Sequence, residues 1–202
     1  MESDREEYEI VSTEDLTPAA ERILTTASRL FYEEGIRAVG VDAISEQADV
    51  SKVTLYKNFG SKGELVAAYL RLRDERWRAV LARDTDRYVH PTERLLAFFD
   101  AYGEYLFDEE GYRGCAFINA AAELPDTDHP AWSVIQEHKD GIWRHLSVLA
   151  TEAGFKDPEA TAERLLILLE GAWVTAVVRR SVEPLDCARD IAVKLLTPDH
   201  DG

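Results

Sequence analysis

Apolar residues recur every three or four positions along most of this 202-residue chain, which is the spacing of one buried helix face. Ile23, Ala27, Leu30 and Phe31 form one such series. The sequence has no Asn-Gly pair and no long alternation of apolar and polar residues, which would predict hairpins and strands. With 46% hydrophobic residues, the chain can bury a substantial core. The sequence therefore predicts an all-α fold of about nine helices.

Capping residues and glycines set the predicted helix ends. Thr17 followed by Pro18 opens the first helix, and Gly35 closes it. Ser51 and Ser61 are good caps for the third and fourth helices. The predicted helices span residues 18–35, 41–48, 51–59, 61–83 and 91–107, a short segment within 111–130, and residues 130–153, 158–180 and 185–196.

The short stretch VSKVTLYKNFGSKGELV, Val50 to Val66, has many polar residues and few apolar ones. Leu55 and Phe59 are spaced to face a core together. Successive side chains turn by about 100° around a helix, so the residues on the face opposite Leu55 and Phe59 should be exposed to solvent. That face carries Val53, Thr54 and Lys57, with Tyr56 on the flank.

The first three helices together predict a function in DNA binding. A short helix, a turn and another short helix, docked on a preceding helix, is the helix-turn-helix arrangement, whose second member lies in the major groove of DNA. Lysine can donate to guanine, and valine or threonine methyls can touch thymine. The alternative is a helix whose polar face is merely solvated.

Charge is distributed unevenly along the chain. The net charge of −16 would by itself oppose a polyanionic partner. Residues 1–16, however, contain seven acidic residues against one arginine, and we expect them to form a flexible acidic leader. Residues 17–64 are almost balanced, so the charge does not exclude DNA binding by that segment.

Residues 23–70 contain the patterns A-x-x-L-F-x-x-x-G, V-S-x-x-T-L-Y-x-x-F and S-K-x-E-L. Together they resemble the DNA-binding domain of the tetracycline-repressor (TetR) family of bacterial transcription regulators. The resemblance implies a helix-turn-helix domain at 17–63 and an effector-binding and dimerisation domain at 64–202. It also implies a homodimer, most often a repressor, that binds a palindromic operator and is released by a small-molecule effector.

Family roles carry over to individual positions. The resemblance implies base contacts from the exposed face of the third helix, and phosphate contacts from Tyr56 and Lys62. The start of the second helix should approach the DNA backbone. Gly40 replaces the usual Ser or Thr cap, and Asp42 is an unhelpful charge beside a phosphate. The predicted DNA-binding residues are Val41, Asp42, Lys52, Val53, Thr54, Tyr56, Lys57, Asn58 and Lys62.

An aromatic stripe at helical spacing marks the fifth helix, and residues 111–130 resemble the effector domains of one TetR branch. The stripe can be core, or it can line a cavity. Asn119 and Glu123 can be polar groups of a pocket or braces within the protein. The predicted effector is largely apolar, and its predicted contacts are Phe98, Tyr102, Tyr105, Phe117, Asn119, Glu123 and Trp143.

The eighth helix is apolar almost all round from Leu165 to Val178. Such a helix must be covered on more than one side, either centrally in the domain or by a second subunit. The family resemblance favours both. The predicted dimer contacts are Leu166, Leu169, Trp173 and Val177.

Three other functions find less support in the sequence. A hydrolase could use Cys115 with His129 or His138, but no nucleophile elbow or phosphate loop accompanies them. A redox sensor could act through Cys115, although a thiol on an apolar helix also packs inertly. Glu123, His129 and His138 match no metal motif. We therefore predict no enzyme activity, no metal and no cofactor.

The cysteines and the N-terminal segment predict the compartment. Cys115 and Cys187 are far apart and have no C-x-x-C spacing, which is typical of a reducing environment. The acidic start lacks the apolar region of a signal peptide, and no apolar run reaches the roughly 20 residues of a membrane span. We expect a cytoplasmic protein with no membrane partner.

Overall fold

The computed structural model describes the backbone of residues 16–106 and 113–197, and the side chains of 16–103 and 113–197. Over these ranges the regular elements are all helices, which confirms the all-α prediction. Almost all of the predicted acidic leader lies outside the described residues. The helices are α1 Pro18–Glu34, α2 Val41–Gln47, α3 Lys52–Phe59, α4 Lys62–Thr85, α5 Pro91–Leu106, α6 Ala116–Glu123, α7 Ala131–Glu152, α8 Pro158–Arg179 and α9 Glu183–Leu196.

Side-chain caps begin several helices where the sequence predicts them. Thr17 accepts the amide hydrogen of Ala20 at the start of α1. The Ser51 hydroxyl accepts the amide hydrogen of Thr54 at the start of α3. The Ser61 hydroxyl accepts that of Glu64 at the start of α4. Gly40, before α2, has no side chain to cap with. These caps satisfy amide groups that the first turn of a helix leaves without a partner.

The turn between α3 and α4 depends on a glycine. Gly60 has φ of 68°, in the region that disfavours residues with a β-carbon. Its amide donates to the carbonyl of Tyr56, which ends α3, and Ser61 at once caps α4. The two helices therefore follow each other with almost no linker, and α3 keeps a fixed direction relative to α4.

The buried side chains form two hydrophobic clusters. The first core joins α1, α2, α3 and the first half of α4 with α6 and the start of α7. The second core joins the second half of α4 and the end of α7 with α5, α8 and α9. The predicted domain boundary at 63/64 lies within the first turn of α4. The hydrophobic packing does not divide there, because α6 and α7 contribute to the first core.

Two helices, α4 and α7, run through both cores and have polar residues where they cross. On α4, Arg73 lies between Leu70 of the first core and Trp77 of the second. On α7, His138 follows Ile135 of the first core by one turn. Both polar side chains are buried, at 4% and 5% exposure. Two buried polar side chains therefore lie at the boundary between the two apolar cores.

Candidate nucleic-acid interface and internal cavity

Helix α3 presents one side to the first core and the other to solvent. Leu55 is fully buried, and Phe59 packs partly buried against the same core. Val53, by contrast, is 77% exposed and Tyr56 45% exposed. Large apolar groups this exposed on a short helix are typical of a contact surface. The exposed side also carries Lys52 and Lys57, while Thr54 is half-buried and shares a hydrogen bond with Ser51.

The start of α2 lies beside the start of α3, where Asp42 and Lys52 form an ion pair. Both side chains are more than half exposed. Val41 is different, because it packs partly buried against the first core. The predicted residues of the two helix starts are thus neighbours, but the Lys52 ammonium already has an anionic partner.

Asn58 makes its contacts within the protein. Its Nδ2 donates to the carbonyl of Thr54 at 2.7 Å, and its Oδ1 accepts from the hydroxyl of Thr17 at 3.2 Å. The side chain therefore ties α3 to the beginning of α1. This arrangement positions the helix and leaves less of the amide for DNA.

Lys62 is also held inside the protein. Its ammonium donates to the carbonyl of Ile36 at 2.7 Å and lies 5.9 Å from the ring centre of Phe31. Burial lowers the pKa of Lys62, and the negative charge of Glu123 partly offsets that effect. In the described conformation Lys62 fixes the turn between α1 and α2, so its predicted phosphate contact requires the ammonium to leave that carbonyl.

Some of the cationic side chains near α3 bind other groups of the protein, and others do not. Arg22 donates to the carbonyls of Ala48 and Pro18, and Arg29 pairs with Glu33. Within the described ranges, the side chains of Arg37 and Lys57 are exposed and make no ion pair or hydrogen bond. Arg37 lies in the turn between α1 and α2; sequence reasoning missed it, although its place between Gly35 and Gly40 was the available signal.

A cavity of about 40 Å³ lies where the two cores meet. One buried water molecule requires a cavity volume of roughly 10–15 Å³, so this cavity is larger than a single water needs. Members of both cores line it, together with the polar residues at their boundary. The lining residues are Arg73, Trp77, Tyr102, Cys115, Ala116, Phe117, His138 and Trp173.

Three aromatic rings meet edge to face along one wall. The ring of Tyr102 lies 4.6 Å from that of Trp77 and 5.2 Å from that of Trp173, close to perpendicular to both. Burial raises the pKa of the Tyr102 phenol well above its usual value, and Glu170 and Cys115 add to this. The hydroxyl is therefore neutral at physiological pH.

The lining also contains a histidine whose orientation is fixed by two neighbours. His138 Nδ1 lies 2.6 Å from a carboxylate oxygen of Asp74, and its ring stacks on Phe117 with centres 3.6 Å apart. Burial lowers the pKa of His138, as does the nearby Lys139, although Asp74 and Glu170 oppose them. For Asp74, burial raises the pKa, but bonds and charges from His138 and Arg78 outweigh it and lower the pKa overall.

Two further polar contacts flank the cavity. The guanidinium of Arg73 lies over the ring of Tyr32 at 4.0 Å, and the Tyr32 hydroxyl donates to the carbonyl of Gly114. Lys139 lies with its ammonium 3.7 Å from Cys115 Sγ and 2.6 Å from a carboxylate oxygen of Glu170. Sequence reasoning missed Arg73 and Trp77, because they lie within a helix that has no distinguishing local pattern.

Of the predicted effector contacts, Tyr102 and Phe117 line the cavity. Phe98 does not, since it is fully buried in the second core, where it meets the ring of His145. Trp143 packs partly buried on the same core. The side chain of Tyr105 lies outside the described residues. Phe98 therefore contributes to the core, which is the other interpretation of the aromatic stripe, and Trp143 on α7 packs against the same core.

The two predicted polar pocket residues have partners elsewhere. Asn119 donates to the carbonyl of Arg113 at 2.8 Å. Glu123 accepts the backbone amide hydrogen of Arg37 at 2.8 Å. Neither lines the cavity, and both act as braces in the described structure.

The predicted dimer contacts divide into two pairs. Leu169 and Trp173 are buried in the chain's own second core, and Trp173 also lines the cavity. This corrects their assignment, because neither side chain faces outward where a second copy could touch it. Leu166 and Val177 are partly buried against that core. The outer side of α8 instead presents Ile167, Val174 and Val178, at 63%, 46% and 78% exposure.

The histidines suggested as catalytic or metal-binding groups have different partners within the protein. His129 accepts the amide hydrogen of Ala131 at the start of α7, which is the capping role that histidines often take. His138 is buried beside Asp74. Among the described residues, no group of three His, Cys, Asp or Glu side chains could hold a metal ion. Nor is any helix of the described segments both long and apolar enough to cross a membrane.

An exposed second helix of a helix-turn-helix, joined to a larger helical body, is typical of transcription regulators. The family model for bacterial regulatory proteins of the tetR family matches residues 23–69. The model for the tetracyclin repressor-like C-terminal domain matches residues 91–192. The chain belongs to the TetR family of bacterial regulatory proteins, as the sequence resemblance predicts.

Individual relatives extend over most of the chain. It is 26% identical over 179 residues to the HTH-type transcriptional regulator YjdC of Escherichia coli K12, covering 87% of this chain and 92% of YjdC. It is 24% identical over 197 residues to the HTH-type transcriptional repressor DhaR of Mycobacterium sp. GP1, covering 92% and 96%. The crystal structure of SCO4454, a TetR-family regulator from Streptomyces coelicolor, superposes with a TM-score of 0.81 at 31% identity, covering 89% of each chain.

Proposed function

We propose that this protein is a ligand-responsive repressor that binds a partly palindromic operator as a homodimer in the cytoplasm and is released by a small-molecule effector. The observation that carries this proposal is the position of the cavity. It lies at the boundary between the two cores, on the same helix, α4, that begins next to α3. A molecule entering there would push apart the walls contributed by the two cores.

The exposed face of α3 supports the proposed DNA contacts. Lys57 and the methyls of Val53 are free to meet base edges, and Tyr56 can donate to a phosphate. Arg37 adds an available cation at the turn before α2. The Lys52 ammonium can also contact DNA if it leaves its ion pair with Asp42. Repression, as opposed to activation, is supported by the relative DhaR, which is described as a repressor.

An apolar stripe on α8 and α9 supports the proposed dimer. Ile167, Val174 and Val178 follow each other at seven- and four-residue spacing, which places them on one side of α8. Ile191 and Leu195 are similarly exposed on α9. Covering such a stripe with a second copy would remove apolar surface from water. The twofold axis would then present one α3 from each subunit to the DNA.

Helix α6 supports a link between the cavity and the DNA-binding side. Its first residues, Ala116 and Phe117, line the cavity, and its last residue, Glu123, bonds to the backbone of Arg37. Movement of the cavity wall would be felt at the turn before α2. Because α4 also runs from the cavity to α3, a ligand would change the separation of the two α3 helices of the dimer.

Selection of operators from random duplex DNA by the purified full-length protein tests the proposal. We expect an enriched sequence with two similar half-sites related by inverted symmetry, since each subunit would read one of them. Enrichment of sites without any internal symmetry would contradict the proposed homodimer. Sequence-independent capture of all duplexes would contradict operator recognition itself.

A further inference from the structure

The acidic leader joins the described part of the chain beside α3. Its last residue, Leu16, packs partly buried against the first core. Thr17 caps α1, and its hydroxyl donates to Asn58 Oδ1 at 3.2 Å. Asn58 is the last residue but one of α3, which ends at Phe59. The leader is therefore attached next to the C-terminal end of the helix that we propose to read DNA.

The leader is long enough to reach the whole exposed side of α3. An extended chain spans about 3.3 Å per residue, so the 15 residues that precede Leu16 reach up to roughly 50 Å. Helix α3 has eight residues and is about 12 Å long. The middle of the leader, residues 8–11, can therefore lie over Val53 and Tyr56 while Leu16 keeps its place in the first core.

Charge favours a contact between the leader and the nearer end of α3. Lys57 directly precedes Asn58, is exposed, and makes no ion pair or hydrogen bond within the described ranges. The leader contains seven acidic residues against one arginine, and two of them, Glu14 and Asp15, are close in sequence to Thr17. The contact between Thr17 and Asn58 brings these two carboxylates within reach of the Lys57 ammonium.

The other end of α3 suits an acidic segment less well. Lys52, the first residue of the helix, already pairs with Asp42 of α2. A further carboxylate at this end would be repelled by the charge of Asp42. The charges therefore favour the leader's last acidic residues at the Lys57 end.

Apolar side chains on the leader and on α3 also match. Val53 is 77% exposed and Tyr56 45% exposed. The leader has Tyr8, Ile10 and Val11 among its acidic residues. A contact between the two sets would remove apolar surface from water. The leader thus combines negative charge with apolar groups, as DNA does with its phosphates and thymine methyls.

We propose that, in the absence of DNA, the acidic leader lies across the exposed side of α3, with Glu14 and Asp15 at Lys57 and residues 8–11 on Val53 and Tyr56, and that it competes with DNA for this surface. The contact itself is independent of the proposed function, whereas the competition rests on it. Only molecules whose leader is displaced can bind the operator. A leader bound nine-tenths of the time therefore weakens operator affinity about tenfold.

Two full-length variants with equal changes in charge test the role of the carboxylates. The doubly substituted Glu14→Gln, Asp15→Asn protein should bind the selected operator roughly two- to tenfold more tightly than the unaltered protein. Its control is the Glu137→Gln, Asp140→Asn protein, which loses two charges from exposed sites on α7 and should bind like the unaltered protein. Equal affinities for the two variants would overturn the inference.

A third full-length variant separates a contact from repulsion through space. Tyr8→Ser, Ile10→Ser and Val11→Ser together keep every charge of the leader. Loss of the apolar contact should again raise operator affinity roughly two- to tenfold. If this protein binds like the unaltered one, the leader acts on DNA only through its charge, and the inference is overturned.

Amide chemical shifts, measured by NMR without DNA, detect the contact separately. The signals of Val53, Tyr56 and Lys57 should differ between the unaltered protein and the triple serine variant, while that of Lys156, between α7 and α8, should not. Identical signals on α3 would overturn the inference, and the proposed function would stand if an operator is nevertheless selected. If the signals differ but no operator is selected, the proposed function fails and the contact stands.

Discussion

Glu123 at the end of α6 accepts a hydrogen bond from the backbone amide of Arg37, with 2.8 Å between carboxylate oxygen and nitrogen. The same carboxylate lies against Gly35, where a β-carbon would come within 3.2 Å of both oxygens. This contact joins a helix that borders the cavity to the turn that precedes α2. It links the parts of the chain that we propose to bind effector and DNA.

Removing the carboxylate should loosen that turn. Glu123→Ala leaves the Arg37 amide without its charged acceptor, so we expect the free energy of unfolding to fall by about 1–3 kcal/mol. Glu137→Ala removes a charge from an exposed site on α7 and serves as the control. Urea unfolding of both variants measures the difference. Equal stabilities for the two variants would contradict the bracing role.

Gly35 should tolerate a side chain less well than Gly154, which also has a positive φ but has no atoms close to where a β-carbon would lie. Gly154 has φ of 80° with open space around it, whereas Gly35 has φ of 97° and faces Glu123. Gly154→Ala should cost about 1–2 kcal/mol for the backbone alone, and Gly35→Ala more. If the carboxylate causes the excess, Gly35→Ala and Glu123→Ala combined should cost less than the sum of the two single changes. Thermal unfolding that ranks the two single variants in the opposite order would show that the carboxylate does not crowd this site.

Asp42 should weaken DNA binding by holding Lys52. In Asp42→Asn the lysine is free for DNA, so operator affinity should rise and the dependence of log K on log salt should steepen by about 0.9 for each lysine released. Glu46→Gln removes the same charge from an exposed site of α2 without touching this ion pair. Fluorescence anisotropy at several salt concentrations compares them. The ion pair would be irrelevant to binding if both variants gave the same slope.

The outer side of α8 should carry the dimer. A glutamate in place of Val178 or Ile167 would be placed in an apolar interface, so these variants should sediment as monomers and bind the operator weakly. Val148→Glu introduces the same charge at an exposed site of α7, 55% exposed, and should remain dimeric. Intact dimers for the doubly substituted Ile167→Glu, Val178→Glu protein would place the interface elsewhere.

Acidification should destabilise the part of the fold that contains the second core and the cavity. Burial lowers the pKa of both His138 and His145 from the ordinary value of 6.5. The unfolded chain therefore takes up these protons at a higher pH, and stability is complete above about pH 6.5 and lost as pH falls through the folded pKa values. Urea unfolding at about pH 7.5 and about pH 5.5 measures the loss, which should be smaller in His145→Gln. A stability that rises on acidification would contradict this.

The elements that local chemistry determines could be predicted from the sequence. Thr17, Ser51 and Ser61 cap helices where the sequence predicts, and the spacing of Leu55 and Phe59 gave the buried side of α3. The patterns around these residues also indicated the family. Residue-level roles in DNA binding remain predictions, and for Lys62 and Asn58 the structure adds internal partners that no local pattern reveals.

The complete lining of the cavity and the outer face of α8 could not be predicted, because both depend on packing between distant segments. Helix α8 is apolar on nearly every side, so its sequence alone could not tell that Leu169 and Trp173 face inward and Val174 and Val178 outward. Arg73 and His138 are unremarkable within their own helices. They become functional candidates only when α4 and α7 bring them to the same boundary between the two cores.

The central claim is that the exposed face of α3 reads DNA, and the affinity of Lys57→Ala for the selected operator tests it most directly. Lys57 is an available cation on that face, and Lys156→Ala removes the same charge from an exposed site between α7 and α8. Fluorescence anisotropy over a range of salt should show weaker binding and a slope shallower by roughly 0.9 per subunit for Lys57→Ala, with Lys156→Ala like the unaltered protein. Equal affinity and slope for Lys57→Ala and the unaltered protein would contradict the claim.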